Sequence, residues 1–373
     1  MKAIGIILAG GNNNRMKELT AKRAVPALPV AGSFRSIDFA LSSMSNSHIQ
    51  TVAVLTQYNA RSLNEHLSSS KWWNFGRKQG GLFLFTPTVT ADNSDWYRGT
   101  ADAMYQNIDF LKRRHEPYVI ISSGDCVYKL DFNRVLDFHI EKKSDITVVC
   151  KDMMYNDDVS RFGVVRMDDE SRITEFDEKP IEASSNTIST GIYVIRRRQL
   201  IELLEAAAEE NRFDFVNDIL VRYKNVKKIY GYKINSYWNN IADIDAYFKT
   251  NMDFLKRDVR EFFFNQYPDI YSKVEDLPPA KYNKGSVVTN SMVSSGCIIN
   301  GTVEDSILFK KVFVGNNCVI KNSIILNDVY IGDNTYIENC IVESRDTIRA
   351  NTKYVGDKED IRIVIEKNDR YAL

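Results

Sequence analysis

The sequence predicts an α/β protein in which a mixed, mostly parallel sheet covered by helices is followed by a parallel β-helix. Three observations lead to this prediction. The 373 residues exceed what one hydrophobic core usually organises. Residues 1–258 alternate short apolar runs with helical stretches, and later residues repeat with a period of six. We therefore expect a first domain over residues 1–258, a connector over 259–280 and a repeat domain over 281–373.

Five apolar runs predict strands of the first domain, because each is short and bounded by turn-forming residues. They are Ala3 to Ala9, Thr51 to Thr56, Tyr118 to Ser122, Asp145 to Cys150 and Gly191 to Ile195. Between the second and third runs, apolar residues at helical spacing follow Gly99 and Thr100. They predict one helix that ends in the basic run Lys112 to Arg114, before Pro117.

The repeat domain is predicted from apolar residues at every sixth position: Ile307, Phe313, Val319, Ile325, Ile331 and Ile337. Three residues before each of the last five stands a polar residue, which predicts the corners of the coil: Lys310, Asn316, Asn322, Asp328 and Asn334. This period is typical of hexapeptide β-helices, whose coils stack to bury their inward faces. The alternative, an antiparallel sandwich, would show alternation of two and hairpin turns.

The composition excludes several classes of protein. The 49 basic and 49 acidic residues balance, which argues against a dedicated nucleic-acid or membrane-surface binder. No segment approaches the roughly 20 apolar residues that span a bilayer, and the N-terminal residues lack a signal-peptide cleavage pattern. Five widely spaced cysteines without a C-x-x-C pair predict neither a disulfide framework nor a zinc site. We expect a cytoplasmic protein with reduced thiols.

A glycine turn follows the first predicted strand. Gly10 and Gly11 come directly after it, and Arg15 stands four residues further on. Such a turn presents backbone N–H groups, here with a guanidinium nearby, to a phosphate group. Taken alone, the turn has a structural alternative, because glycine turns after a first strand are common.

Several motifs together resemble one enzyme family. The stretch Gly10 to Pro29, GGNNNRMKELTAKRAVPALP, resembles the sugar-nucleotide pyrophosphorylase signature GGxGTRLxxLTxxRAKPAxP. Further motifs are similar to the ADP-glucose pyrophosphorylase forms FRIIDFxLSN, TQY, WYxGTADAV, SGDHIYKM, FxEKP and xMGIY, and they occur in the same order. They stand at residues 34–42, 55–58, 96–103, 123–129, 176–180 and 190–193. The sequence is identified as a member of the ADP-glucose pyrophosphorylase (glucose-1-phosphate adenylyltransferase) family.

The resemblance implies a Rossmann-like nucleotidyltransferase domain followed by a left-handed parallel β-helix. It also implies a reaction in which glucose 1-phosphate attacks the α-phosphate of ATP, with Mg²⁺ and cationic side chains neutralising the phosphates. Asp125, just past a predicted strand at the ligand-binding edge of the sheet, would be a catalytic metal ligand. Arg15 is the second catalytic candidate.

The resemblance assigns the remaining candidate positions to three kinds of contact, although each residue could instead be a packing or solvated residue. The nucleotide-binding candidates are Gly10, Gly11, Tyr97, Gly99 and Thr100. The sugar-phosphate-binding candidates are Glu178, Lys179, Gly191 and Trp238. The effector-binding candidates are Lys22 and Arg35.

The departures from the family pattern fall on the catalytic positions. Asn13 and Asn14 replace a glycine and a hydroxyl residue of the loop, so a backbone shape that glycine adopts cheaply is harder to reach. Val25 replaces the lysine of RAKPA. In the family's YWRDVGT motif, Asn239 replaces arginine and Asn240 replaces the second metal-binding carboxylate.

Rescue by nearby acidic residues is not expected. Asp243 and Asp245 follow Asn240 closely, but we expect them to open the next helix. Mg²⁺ would then be weakly bound or absent, and the isolated chain would be a weak or inactive enzyme.

A chain that keeps the fold but lacks these charges is similar to GlgD-type subunits. The resemblance then implies a regulatory role in glycogen biosynthesis, a GlgC-type catalytic partner and a tetrameric hetero-oligomer. ATP, glucose 1-phosphate or sugar-phosphate effectors would be the ligands, with no nucleic acid or membrane. A self-sufficient ADP-glucose pyrophosphorylase is the alternative.

A third hypothesis makes the repeat domain a hexapeptide acyltransferase, as in bifunctional relatives. That chemistry resembles a histidine-based reaction between coils. All four histidines, His48, His66, His115 and His139, precede residue 281. The third hypothesis therefore lacks its general base.

Overall fold

The computed structural model describes residues 2–11, 14–76, 80–89, 95–154 and 158–366. The strands of the first domain are β1 (Ala3–Leu8), β2 (Pro29–Val30), β3 (Phe34–Arg35), β4 (Thr51–Leu55), β5 (Gly81–Phe85), β6 (Tyr118–Ser123), β7 (Cys126–Tyr128), β8 (Ile146–Asp152), β9 (Gly163–Met167), β10 (Ile173–Glu178), β11 (Thr187–Arg196), β12 (Ile229–Lys233) and β13 (Trp238–Asn240).

The α-helices are α1 (Ser36–Asn46), α2 (Arg61–Leu67), α3 (Thr100–Tyr105), α4 (Ile108–Lys112), α5 (Phe132–Glu141), α6 (Arg197–Glu209), α7 (Ile244–Asp253) and α8 (Arg257–Arg260). Short 3₁₀ turns occupy Asn14–Thr20, Val25–Ala27 and Ser70–Trp73, and π-helical turns occupy Val216–Val221 and Glu261–Asn265. Within the described part of the chain, no helix is long and apolar enough to span a membrane.

The main sheet is mixed, as predicted. Its parallel centre runs β6–β1–β4–β5. Strand β11 pairs antiparallel with β6 at the edge of this centre. Beyond β11 the sheet continues with β8, β9, β10 and β12. Because β1, β4 and β6 are parallel, their carboxyl ends meet at one edge, where open α/β sheets bind ligands.

The single helix predicted after Gly99 is wrong, because the structure divides it into α3 and α4. The break falls at Gln106 and Asn107. The Asn107 side-chain amide donates to the Ala103 carbonyl at 2.8 Å and to the Tyr97 hydroxyl at 3.0 Å. A side chain that bonds locally to the backbone competes with the helix, which explains the interruption.

The second domain is a left-handed parallel β-helix of hexapeptide repeats, as predicted. In the described residues its three flat sides are three five-stranded parallel sheets. The strands are β14 (Lys281–Tyr282), β15 (Val287–Thr289), β16 (Met292–Val293), β17 (Ile298–Ile299), β18 (Thr302–Glu304), β19 (Ile307–Leu308), β20 (Phe313–Val314), β21 (Val319–Lys321), β22 (Ile324–Ile325), β23 (Tyr330–Ile331), β24 (Tyr336–Glu338), β25 (Cys340–Val342), β26 (Thr347–Ile348), β27 (Lys353–Val355) and β28 (Arg362–Val364).

The coil is shorter than a strict period of six requires. Ile307 pairs with Ile324, and Ile324 with Ile341, so each of these coils takes 17 residues. Left-handed corner residues stand at Lys311, Asn317, Asn322, Asp328 and Asn334. The predicted corners at Lys310 and Asn316 are therefore wrong by one residue, because one side of each coil spans five residues. The same shift leaves Phe313 and Val319 only half-buried.

One side of the β-helix packs against the first domain. The outward residues of β19, β22 and β25, namely Ile307, Ile324 and Ile341, are all fully buried. They share one hydrophobic cluster with Phe39 and Phe254 of the first domain. This shared core joins the two domains and determines how the β-helix is placed against the sheet.

The connector packs on the surface of the first domain and is hydrogen-bonded to it. It starts inside α8 and continues through the helical turn Glu261–Asn265, where Phe263 is buried against Phe39. It then crosses α1, where the Tyr271 backbone N–H donates to Ser42 Oγ at 2.8 Å. Ser272 Oγ donates to the Asp38 carboxylate at 2.6 Å.

We predict that Ile324→Ala lowers the free energy of unfolding by about 3 kcal/mol, because it removes a fully buried side chain from the shared core. Val319→Ala, on an outer side of the same coil, should cost less than about 1 kcal/mol. Guanidinium denaturation measures both. Equal losses in the two variants would contradict the assigned interface.

Candidate functional site

The glycine turn and Asp125 lie side by side at the carboxyl edge of the sheet. The Gly124 N–H donates to the Leu8 carbonyl at 3.0 Å, which joins the loop after β6 to the end of β1. The Ala9 N–H donates to the Leu55 carbonyl at 2.8 Å, which adds the end of β4. The structure thus brings Gly10 and Asp125, two predicted site positions, to one edge.

Asp125 is adjacent to Asn240, the position where the resemblance in sequence implies a second carboxylate. Strands β7 and β13 pair antiparallel, with Cys126 opposite Asn240, and the Ile241 N–H donates to the Asp125 carbonyl at 2.9 Å. Ser123 Oγ donates to the Asp125 carboxylate. Asn240 is therefore held beside Asp125 by backbone pairing that does not depend on its side chain.

The Asn240 side chain is engaged by the protein and is not an open ligand for a metal ion. Asn240 Oδ1 already accepts a hydrogen bond from the Ala242 N–H at 2.9 Å, and its amide donates to Cys126 Sγ at 3.4 Å. Among the described residues, no three His, Cys, Asp or Glu side chains cluster as metal ligands. Asp125 is then a single protein carboxylate for an ion that binds through one or two carboxylates plus substrate phosphates.

Asp243 begins the next helix, as expected, and is occupied there. Its Oδ1 accepts from the Ala246 N–H at 2.8 Å, which caps α7, and its Oδ2 pairs with Arg161. Asp245 lies in the first turn of α7 and is exposed. These contacts favour helix capping over replacement of the missing carboxylate.

Val25 lies in the core that joins the two domains. Its side chain is 4% exposed and belongs to a cluster with Met16, Leu28 and Ile241. Two residues before it, Arg23 pairs with Glu343 of the β-helix. This segment therefore packs in the core between the two domains and links them. A lysine side chain at position 25 would have to turn out of this apolar core to keep its charge solvated.

The loop that follows the glycine turn is only partly described. Asn12 and Asn13 lie outside the described residues, while Asn14 starts a 3₁₀ turn and is exposed. Gly11 is exposed and has no heavy atom within 4 Å of a Cβ built on it. Arg15 is exposed and close enough to Arg161 to lower the pKa of that group, a smaller effect than burial.

The nucleotide-side candidates make packing contacts. Tyr97 is buried, burial raises its pKa, and its hydroxyl accepts from Asn107. A Cβ on Gly99 would lie 2.4 Å from the Phe213 carbonyl oxygen. Thr100 Oγ1 accepts from the Phe215 N–H at 2.9 Å. Each residue thus supports the start of α3, and contact with nucleotide stays a prediction.

Glu178 and Lys179 stand at the end of β10, on the side predicted to hold the sugar phosphate. Lys179 Nζ lies 3.4 Å from Glu178 Oε1, with 65% of the lysine side chain exposed against 18% of the glutamate. Burial raises the pKa of Glu178, and Lys179 opposes this effect. The Lys179 N–H donates to the Phe162 carbonyl at 3.1 Å. The lysine is therefore available to an anion in solvent.

Gly191 and Trp238 lie on either side of this region. Gly191 forms a bulge in β11 with φ of +74°, where other residues are strained, and a Cβ there would lie 3.6 Å from Ser123 Cβ. Trp238 is buried and meets the Phe162 ring edge-on, with centroids 5.7 Å apart. The structure thus links Gly191 to the Asp125 loop and Trp238 to Phe162.

Arg161, which no sequence motif predicted, lies next to Phe162, and Phe162 contacts the predicted site residues Trp238 and Lys179. Its guanidinium pairs with Asp243 and lies over the Phe162 ring, 5.0 Å from the centroid. The pair itself joins residues 82 positions apart, so no local pattern shows it. The only sequence signal is an arginine immediately before Phe162 and Gly163.

Arg35, one of the two effector candidates, is followed by Ser36, whose Oγ donates to the Gly124 carbonyl beside Asp125 at 2.9 Å. Arg35 Nη1 donates to the Ser62 carbonyl at 2.8 Å and to Ser62 Oγ at 2.9 Å, while Lys22 is exposed. Burial lowers the pKa of Arg35, and Asp38 opposes this shift. Burial also lowers the pKa of Lys310 on the β-helix, and Arg35 contributes to that shift. Lys310 is therefore a second cation near Arg35, which the repeat pattern had shown only as a corner.

Comparison with known proteins places these features in a family. Residues 4–257 match the nucleotidyl transferase family, and residues 278–362 match the GlmU-like C-terminal hexapeptide family. The chain is 38% identical over 320 residues to glucose-1-phosphate adenylyltransferase of Clostridium novyi (strain NT), which covers 85% of this chain and 84% of that protein. The enzyme of the same name from Geobacillus stearothermophilus is 35% identical over 322 residues, covering 86% and 83%.

We predict that Asn240→Asp raises the affinity for Mn²⁺ at least about tenfold, because it places a second carboxylate beside Asp125. Isothermal titration calorimetry without nucleotide measures this change. Asn235→Asp adds the same charge at an exposed position before β13 and should leave the affinity unchanged. An equal gain in both variants, or no gain in either, would contradict this account of the metal site.

Proposed function

The chain belongs to the glucose-1-phosphate adenylyltransferase family, and from that premise we propose that it is a GlgD-type regulatory subunit. It would act on a GlgC-type catalytic partner that makes ADP-glucose for glycogen biosynthesis. The observation that supports this proposal best is Asn240, held beside Asp125 with its amide oxygen already occupied.

The charge missing from the site would weaken nucleotidyl transfer. Transfer from ATP needs fixed positive charge around the phosphates, and the protein supplies little covalent chemistry. Loss of one preorganised electrostatic contact typically slows turnover ~10²- to 10³-fold. Here Val25 is buried in the domain core and Asn240 is neutral, so two contacts would be missing. We propose that Mg²⁺ binds this subunit weakly or not at all.

Ligand binding would persist where the cations remain. Lys179 is exposed beside Glu178, and Arg15 is exposed beside the glycine turn. These residues would bind glucose 1-phosphate or ATP. Lys22, Arg35 and Lys310 would attract a sugar-phosphate effector. Burial lowers the pKa of Arg35 and of Lys310, and Asp38 and Glu275 oppose both shifts, so an added anion would further stabilise these two charged groups.

A tetramer with the catalytic partner would use the free sides of the β-helix. The side formed by β14, β17, β20, β23 and β26 exposes an apolar column that includes Ile298, Phe313 and Tyr330. The Phe313 and Tyr330 rings stack with centroids 4.7 Å apart. This column is the surface that we propose for contact between subunits.

A self-sufficient glucose-1-phosphate adenylyltransferase is the second candidate. It is favoured by relatives named glucose-1-phosphate adenylyltransferase, which match 85% of the chain at 38–40% identity. In that case Asp125 and the bound phosphates alone would have to hold the metal ion.

The two candidates predict different rates for the purified chain. We expect the isolated chain with ATP, glucose 1-phosphate and Mg²⁺ to turn over at least about 10²-fold more slowly than a catalytic relative such as the C. novyi enzyme. Release of pyrophosphate measures the rate. Adding the chain to a GlgC-type partner from its own source should change the partner's rate or its response to sugar phosphates.

Two variants test whether the missing charges explain the slow rate: the double variant Val25→Lys/Asn240→Asp and the single variant Asn240→Asp. We expect the double variant to raise the solitary rate, and its stability must be checked because position 25 is buried. A solitary rate equal to that of the relative, before any substitution, would exclude the regulatory proposal and support the second candidate.

A further inference from the structure

A cavity of about 610 Å³ opens between the end of α1, the start of α5, the end of β12 and the connector at Tyr267 and Pro268. Small-molecule sites span about 300 to 1,000 Å³, so the cavity could hold a ligand larger than one sugar ring. Among the described residues that line it, none is a predicted catalytic, nucleotide-binding, sugar-phosphate-binding or effector-binding residue. A ligand here would therefore be additional to those of the proposed function.

The walls of the cavity are fixed by contacts between segments that are distant in the sequence. Lys129 is 8% exposed, and its ammonium donates to the Phe262 carbonyl at 2.8 Å and to the Gln266 carbonyl. The Asn46 side-chain amide donates to the Asp269 carbonyl at 2.8 Å. These bonds hold the connector against α1 and the end of β7. A ligand would therefore not have to order these segments when it binds.

The other lysine and arginine side chains that line the cavity also have partners. Lys233 pairs with Asp152 at 2.9 Å, and Arg134 pairs with Asp131 at 3.7 Å. Asp131 Oδ1 accepts from the Asn133 N–H at 3.0 Å, which caps the start of α5. Because the cations are paired and the helix start is capped by a carboxylate, the cavity does not favour an anion.

Two tyrosines of the cavity are free to contact a neutral ligand. Tyr267 is 86% exposed, so most of its ring is open. The Tyr232 ring meets the Phe138 ring edge-on, with centroids 5.3 Å apart, which fixes its position. Within the described part of the chain, the Tyr232 hydroxyl has no hydrogen-bond partner. Aromatic rings pack against the C–H faces of sugars, and a tyrosine hydroxyl both donates and accepts, as sugar hydroxyls do.

From these features we propose that the cavity binds a neutral carbohydrate chain, with one sugar ring on Tyr267 and a sugar hydroxyl bonded to the Tyr232 hydroxyl. Neutral donors and acceptors suit such a ligand, whereas a phosphate would have to displace the partners of the paired cations. A chain is favoured over a single sugar because the cavity is larger than one ring and its walls come from several segments. Since Tyr267 stands in the connector, a bound chain would contact the segment that leads to the β-helix.

We predict that the full chain binds at least one of two neutral probes, maltopentaose and cellopentaose, as measured by isothermal titration calorimetry. Tyr267→Ala should weaken this binding about three- to tenfold, because it removes the aromatic face. Tyr232→Phe keeps the ring and removes one hydrogen bond, so a loss of about two- to tenfold is expected. Because the ligand carries no charge, raising NaCl from about 0.05 to about 0.5 M should change the affinity less than about twofold.

Tyr230→Phe is the matched control, because Tyr230 lies two residues before Tyr232 on β12 and is not among the residues that line the cavity. It should leave the affinity unchanged. Thermal melting checks that the variants are folded. Neither test variant should be destabilised, since Tyr267 is exposed and Tyr232→Phe keeps its ring contact.

Three results would overturn the carbohydrate site. They are no binding of either sugar, binding that survives both test substitutions, and an equal loss in the control variant. Inorganic phosphate that competes with the sugars and no longer binds to Arg134→Ala would also overturn it, because the cavity would then be an anion site. None of these results changes the rates expected of a regulatory subunit, so the two proposals can fail separately.

Discussion

The site depends on the short antiparallel pairing of β7 with β13. This pairing sets Cys126 opposite Asn240 and ties Ile241 to the Asp125 carbonyl. Because these are backbone bonds, they would hold an aspartate at position 240 in the same place as the asparagine. The residue at this position can therefore set the charge of the site without changing its scaffold. The regulatory role that we propose rests on this separation of shape from charge.

The second constraint is the hydrophobic core shared by the two domains. It contains Val25 from the first domain together with the outward residues Ile307, Ile324 and Ile341 of the β-helix. Arg23 reaches across the junction to Glu343, and the connector is bonded to α1 through Ser42 and Asp38. The segment that would carry a catalytic lysine therefore contacts the β-helix directly. A ligand near Arg35 and Lys310 would act on this same junction, which gives a physical route from an effector to the site.

The strands that are decided by their own residues could be predicted from the sequence. The first four strand predictions agree with β1, β4, β6 and β8 to within two residues, because each is a short apolar run bounded by turn-forming residues. The predictions were wrong where a side chain or a neighbouring coil intervened. Asn107 interrupts the predicted helix by bonding to Ala103 and Tyr97, and the 17-residue coil moves the first corners by one position.

The sequence by itself determined the class of fold and the family, since both follow from residue type and order. Only the tertiary structure decided what individual side chains contact. Val25 fills an interdomain core, Asp243 caps α7, and Gly99 makes room for the Phe213 carbonyl. It also brought Arg161 to Asp243 across 82 positions of chain. Such pairings depend on how segments that are distant in the sequence pack together. They follow no repeating pattern of residue types along the chain, so they cannot be predicted from the sequence.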